Sequence, residues 1–272
     1  WCAPGSVPGN TPIPITSTAV FYLDAVLLAK IAHVLGEEKD YRRYDTLARG
    51  IRQAFIERFY DREAHTFGSQ AADALALAWG LAPDGEEQAI ADSLARDVME
   101  RHGGHHSTGI LGSRYLYWAL CEYGHGEAAM TMLHQKDYPS IGNLFQQGAT
   151  TFWEYWGERL IDEQEGPRSY NHPMQGGFDT WFFDGIAGIR PSEEGVGFQR
   201  IVLRPQIVPG VHWARAAYRS IRGWIVSEWR REGGRLFWRV VIPPGASAEA
   251  HLLGQVEELT SGEHLLEREL EG

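Results

Sequence analysis

The sequence predicts two architectures in succession: antiparallel helix pairs arranged as part of a toroid, then an antiparallel β-sandwich. Three observations carry this. Apolar residues recur at helical spacing through most of the first part of the chain. Short β-rich runs separated by turn dipeptides take over from Phe198. The segment GIRPSEEG, around residue 190, divides the two patterns. The domains are therefore expected at 1–190 and 191–272.

After the Pro/Gly-rich entry APGSVPGNTPIP, Phe21, Leu23, Leu27, Leu28, Ile31, Val34 and Leu35 mark a helix over 16–35, and Gly36 supplies its stop. A second amphipathic stretch over 37–60 sets Tyr44, Leu47, Ile51, Phe55 and Phe59 on one face, so the two read as a hairpin. Further helices are expected over 69–81, where the sequence is Ala-rich, then over 85–101, 107–123, 126–136, a short piece over 149–156, and 175–187. Long surface helices alternating with Ala-rich inner ones suit a toroid whose inner helix ends and loops line a central pocket. Strands are expected at 200–205, 213–218, 223–229, 235–243 and 248–253. Their spacing of about 8–12 residues is that of a sandwich.

Composition narrows the function classes. At 43% hydrophobic and 22% charged the chain has the balance of a globular protein, and no apolar run is expected to approach the roughly 20 residues that span a bilayer. The formal net charge of −11 argues against nucleic acid or an anionic membrane as partner. Cys2 and Cys121 are the only cysteines and form no CxxC pair, so neither a disulfide framework nor a thiolate metal site is expected; this favours the cytoplasm without requiring it. The opening WCAPG lacks an initiator Met and a leader pattern, which suggests a mature form or part of something longer.

The segment GATTFWEYW concentrates the chemistry, because it sets Glu154 among Trp153, Tyr155 and Trp156. Aromatic faces suit the C–H side of a pyranose, and an acid in partly apolar surroundings can serve as general acid, base or nucleophile. The same pattern also describes a core with a solvated edge. A glycosidase needs a second carboxylate. Glu158, Asp162 and Glu163 read as solvated charge, and Asp179 and Asp184 read equally as packing or capping residues. His172 in SYNHPMQGG could bond substrate hydroxyls or bridge structure, and Gln70 could line a pocket or cap a helix. His102, His105 and His106 in HGGHH match no metal-ligand spacing, so a polar loop is expected there and no metal. With no GxSxG elbow, P-loop or strand-borne GxGxxG, serine hydrolases, NTPases and dinucleotide enzymes lose support.

Taken in order, WCAPG, GSQAADALAL, GGHHSTGILG, DYPSIGNLFQQGATTFWEYW, SYNHPMQGG, AGIRP and IVLRPQ resemble the C-terminal half of the α-L-rhamnosidases of glycoside hydrolase family 78. The resemblance implies part of an (α/α)6 barrel followed by a β-sandwich, and hydrolysis of terminal α-L-rhamnose with inversion, without metal or organic cofactor. It makes Glu154 similar to the family's general base and His172 to a substrate-contacting histidine. Trp1 resembles the tryptophan of the family's GDW motif, whose ring lines the sugar pocket; Trp153 and Trp156, from the aromatic pattern around Glu154, are the further substrate-binding candidates. The general acid belongs to an acidic motif upstream of that tryptophan, so none of these residues takes its role, and GGFDTW departs from the family pattern after NH. The expected partner is a rhamnose-containing glycoside, with association between copies or with a missing N-terminal half, since an open barrel would leave an apolar face uncovered. A non-catalytic sugar-binding or assembly module and another (α/α)6-barrel glycosidase are the alternatives.

Overall fold

The computed structural model of the chain describes residues 10–156 and 169–270. Trp1, Cys2, Glu158, Asp162 and Glu163 lie outside the described residues. Two compact units divide at Phe178 and Asp179.

The helical unit opens with the hairpin α1 (Ile13–Leu35) and α2 (Glu38–Phe59). Gly36 ends α1 in the left-handed region at φ 74°, where a side chain would be strained. The hairpin follows the sequence, but the packed face of α1 does not. Ala25, Ala29 and Ala32 are the buried residues of its second half, and Ala25 packs with Ala48 and Ile51 of α2. Phe21, Leu27, Leu28, Ile31, Val34 and Leu35, from the expected stripe, are exposed instead. The physical reason is that α1 is apolar almost all round, so periodicity could not say which face α2 would take. Small alanines let two backbones approach closely, and the bulky face is left open. α1 is also long and apolar enough to cross a membrane by length and composition, with a mean hydropathy of 1.6. That corrects the expectation that no apolar run approaches such a length: Asp24 and Lys30, both exposed, are the only charged side chains in the helix.

Next come α3 (Gln70–Trp79), α4 (Glu87–Arg96) with a π-helical turn at Asp97–Arg101, α5 (Ile110–Glu122) and α6 (Gly126–His134). Ser69 caps α3, its Oγ accepting from the Ala72 N–H, and every residue from Gln70 to Leu77 is buried. α3 and α5 approach so closely that a Cβ on Gly112 would stand 2.8 Å from the Ala71 Cα. The short helix expected over 149–156 falls earlier, as α7 (Ile141–Gln146), capped by Ser140 and ended by left-handed Gly148. β-branched Thr150 and Thr151 and the aromatics that follow favour extended backbone. Residues 152–154 accordingly pair with 169–172: the Glu154 N–H donates to the Ser169 carbonyl at 2.9 Å and the His172 N–H to the Phe152 carbonyl at 2.7 Å. The helix expected over 175–187 is a 3-10 segment, Pro173–Asp179, and a π-helical turn, Phe182–Ile186. Adjacent Gly176 and Gly177 cost an α-helix about 1 kcal/mol each, which explains the irregularity.

The β unit holds β1 (Ile189–Pro191), β2 (Arg200–Leu203), β3 (Trp213–Ser220), β4 (Gly223–Glu232), β5 (Arg235–Ile242), β6 (Ser247–Leu252), β7 (Gln255–Leu259) and β8 (Gly262–Glu269). They form two four-stranded sheets, β1-β2-β6-β7 and β3-β4-β5-β8. The all-antiparallel expectation needs one correction, because β2 and β6 pair in parallel. The chain leaves one sheet after β2, builds β3, β4 and β5 in the other, and returns, which permits a parallel pair where a hairpin could not. Buried tryptophans have their N–H groups satisfied: Trp238 donates to Ser227 Oγ at 2.9 Å, Ser227 donates to the Ala187 carbonyl at 2.6 Å, and Trp229 donates to the Ile186 carbonyl at 2.8 Å.

Buried Asp73 on α3 accepts from the Phe67 N–H and the Thr66 hydroxyl, yet burial lifts its pKa from 3.8 to about 7. A carboxyl whose folded pKa is raised adds stability that is complete below 3.8 and lost as pH rises through about 7. Asp73→Asn is expected to flatten the fall in urea midpoint between about pH 5 and about pH 8; an unchanged slope would show that Asp73 stays ionised in the fold. The bare face of α1 generates a second expectation. The isolated chain should elute as an associated species in gel filtration, and Leu28→Glu with Ile31→Glu should return it toward monomer at unchanged helicity.

Candidate active site

Glu154 lies on irregular backbone and is 5% exposed. Its N–H is fixed by the Ser169 carbonyl, and its carbonyl accepts from Gln175 Nε2 at 3.1 Å. Its carboxylate makes no hydrogen bond or ion pair among the described residues. Backbone is clamped while the acid is left uncommitted, which suits a group that must accept a proton from something other than the protein.

Aromatic rings run in an arc from one side of Glu154 to the other. Trp156 stacks on His106 at 4.5 Å and 24°. His106 meets Tyr117, with Nε2 2.7 Å from the Tyr117 hydroxyl. Tyr117 packs on Phe178 at 5.4 Å, and Phe178 meets Phe152 edge-on at 5.6 Å. The two residues flanking Glu154 at a distance of two positions are thus tied to the same interior of rings. Trp156 also donates its indole N–H to the Thr108 carbonyl at 2.9 Å. Burial pulls the His106 pKa down to about 3, so the ring is neutral, and its Nδ1 has no partner among the described residues. Burial likewise pushes the Tyr117 phenol upward.

The residues expected at this site are distributed as follows. Trp153 is 6% exposed and meets Tyr170 edge-on at 5.0 Å. Trp156 is 3% exposed with one face taken by His106, so it supports the loop from below. His172 stands opposite Phe152 through the backbone pairing, and its Nε2 is buried without a partner among the described residues. Gln70 caps nothing: its Oε1 accepts from the Ser107 N–H at 2.8 Å and its Nε2 donates to the His105 carbonyl at 3.3 Å, holding the loop that carries His106. The three histidines of HGGHH separate, with His102 beside Asp97, His105 beside Asp137 and His106 beside Tyr117. Asp179 is exposed, and Asp184 offers its carbonyl to Arg190. Sequence reasoning missed Tyr170, an exposed ring against Trp153, and also Tyr117 and Phe178. Tyr170 sits two positions before His172 and could have been noticed there; Tyr117 looked like one apolar position of a helix among others.

Paired helices around a loop that sets a buried acid among aromatic rings are the setting of a helical glycosidase domain, and comparison with known proteins defines its class. A family model described as the bacterial α-L-rhamnosidase six-hairpin glycosidase domain matches residues 1–186, and one for the bacterial α-L-rhamnosidase C-terminal domain matches 188–267. The chain belongs to the bacterial α-L-rhamnosidase family. It is 34% identical over 248 residues to an α-L-rhamnosidase of Streptomyces avermitilis, covering 90% of this chain and 24% of that protein. A second such protein, from Formosa agariphila, is 29% identical over 274 residues, covering 96% and 28%. Among solved structures, an α-L-rhamnosidase from Dictyoglumus thermophilum superposes with a TM-score of 0.89 at 31% identity, over 99% of this chain and 33% of that one. The S. avermitilis α-L-rhamnosidase in complex with L-rhamnose gives a TM-score of 0.82 at 29% identity, over 99% and 28%. The chain therefore spans only about a quarter to a third of the length of these relatives.

If the ring arc holds the loop, Tyr117→Phe should lower unfolding free energy by about 1–3 kcal/mol, because His106 Nε2 is then left buried without its partner. Denaturant titration followed by tryptophan fluorescence reads this directly. A loss below about 0.5 kcal/mol would mean that the pair contributes little.

Proposed function

We propose that the chain carries the base half of an inverting α-L-rhamnosidase site, acting on rhamnose-containing glycosides. The observation that supports the reading best is the buried Glu154 carboxylate, without a hydrogen bond or ion pair among the described residues, on backbone clamped by Ser169 and Gln175. In this reading Glu154 removes a proton from a water, which attacks the anomeric carbon from the face opposite the leaving group. A carboxylic acid protonates the departing glycosidic oxygen. That acid is expected from the family's acidic motif ahead of the tryptophan that Trp1 resembles. His172 offers its Nε2, unpartnered among the described residues, to sugar hydroxyls, Trp153 walls the apolar side of the ring, and Trp1 joins it by resemblance. Trp156, turned inward onto His106, backs the loop rather than meeting the sugar as the aromatic pattern predicts. The chemistry asks for no metal or organic cofactor. The domain boundary that fits this division of labour is the one near residue 190, with catalysis before it and the β-sandwich after.

The 272-residue chain alone is expected to turn over an aryl α-L-rhamnoside slowly, since lacking one of two carboxylates forfeits on the order of 10²–10⁴-fold. In a form of the protein carrying the acidic motif, Glu154→Ala should lose activity by a similar factor of about 10²–10⁴, and azide should restore it. Azide needs no base, and the glycosyl azide formed should have inverted configuration. Retained configuration, or full activity in Glu154→Ala, would sink the proposal. Calorimetric binding of L-rhamnose without turnover in either form would favour a sugar-binding module instead.

A further inference from the structure

The alternation of β3, β4, β5 and β8 sends Ile225, Trp229, Leu236, Trp238 and Val240 into the interior and leaves the intervening side chains on an outer face. Strand register aligns that outer set in two rows, Trp213–Arg230–Phe237–Glu267 and Arg215–Glu228–Arg239–Leu265. All of these but Arg215 wall a depression of about 460 Å³, within the range of small-ligand sites, lined entirely by the β unit. Trp213 is 68% exposed and Leu265 78%, while Phe237 lies under the Arg230 guanidinium at 4.8 Å. An indole held open to water beside a concave surface that mixes apolar side chains with charged ones is an unusual use of the residue type that buries most area.

The charges on this face are already balanced in place. Arg239 donates to Glu263 at 2.7 Å and lies 3.4 Å from Glu228, which is also 3.8 Å from Arg215. Arg230 pairs with Glu232 at 3.2 Å and Arg235 with Glu267 at 2.5 Å. Such a surface offers guanidinium donors and carboxylate acceptors side by side without a net field. Sugar hydroxyls both donate and accept, so they can use both kinds of group. A phosphate or carboxylate would find each guanidinium engaged, on a chain of net charge −11. An acyl chain or apolar protein surface would have to strip water from several ion pairs, which costs several kcal/mol per ion.

We propose that the outer face of the β3-β4-β5-β8 sheet is a binding site for a neutral oligosaccharide. Trp213 stacks on one sugar ring, and Glu228, Arg230, Arg239 and Glu267 bond its hydroxyls. The site is independent of the role assigned to Glu154.

Calorimetry on the full 272-residue chain, with cellohexaose, xylohexaose, mannohexaose and L-rhamnose as probes and hexagalacturonate as the anionic control, tests it. At least one neutral hexasaccharide should bind. Trp213→Ala should weaken that binding about tenfold or more through loss of stacking and buried area, while Trp213→Phe keeps part of it. Trp213 is exposed, so these variants should fold, and unchanged far-UV circular dichroism checks that they do. Glu154→Gln should bind as the unaltered chain does. The proposal is overturned if no neutral hexasaccharide binds, if Trp213→Ala binds equally well, if hexagalacturonate binds more tightly, or if Glu154→Gln abolishes the binding.

Discussion

The stack of Trp156 on His106 is the contact on which the rest of the loop that carries Glu154 depends. Residues 152–156 belong to no helix or strand, so their backbone cannot rely on a regular ladder for its position. It is held from both ends by rings, through His106 and Tyr117 to Trp156 on one side and through Phe178 to Phe152 on the other. Packed rings in defined geometry resist displacement in a way that aliphatic contacts do not, each pair adding about 0.5–1.5 kcal/mol beyond its buried area. Glu154 can then leave its carboxylate unbonded among the described residues without the loop losing its shape.

Much of this arrangement could be read in the chain, and where it could not the reasons are specific. α2, α3 and α5 follow their periodicity because each has one plainly apolar face or is buried all round. α1 misleads, since a helix apolar on every side carries no phase; the choice of its alanine face was made by α2. β4 and β5 alternate cleanly, whereas β7 and β8, with sequences QVEEL and GEHLLERE, carry polar or charged residues on most positions and bury little, so they look like loop. Glu154 announced itself by its aromatic company. What the sequence could not convey is that Trp156 faces inward to a histidine, because stacking partners 50 residues apart on the chain (156 − 106) leave no local trace.

Two of the strongly perturbed side chains, Asp73 and His106, sit on elements joined by Gln70, which lies on the same helix as Asp73 and bonds the loop that carries His106. Burial acts on both in the same sense, against the charged form, and so moves their pKa values in opposite directions. His106 therefore stays neutral over the range in which a carboxylate base would work. A cation beneath Trp156 would have altered the field at Glu154; a neutral ring gives support without charge.

Support for the loop can be followed one step deeper, to Gly112. A Cβ there would meet Ala71 at both its Cα and its Cβ and would lie 3.0 Å from the Thr108 methyl. Only glycine lets α3 and α5 come this close. Their approach keeps Gln70 within reach of Ser107 and His105 and brings the Thr108 carbonyl to the Trp156 indole. Widening the gap would therefore move His106 and Thr108 together, and with them both supports of Trp156. The position of the acid is in this sense set two layers away from it, by the absence of a single methyl group between two inner helices.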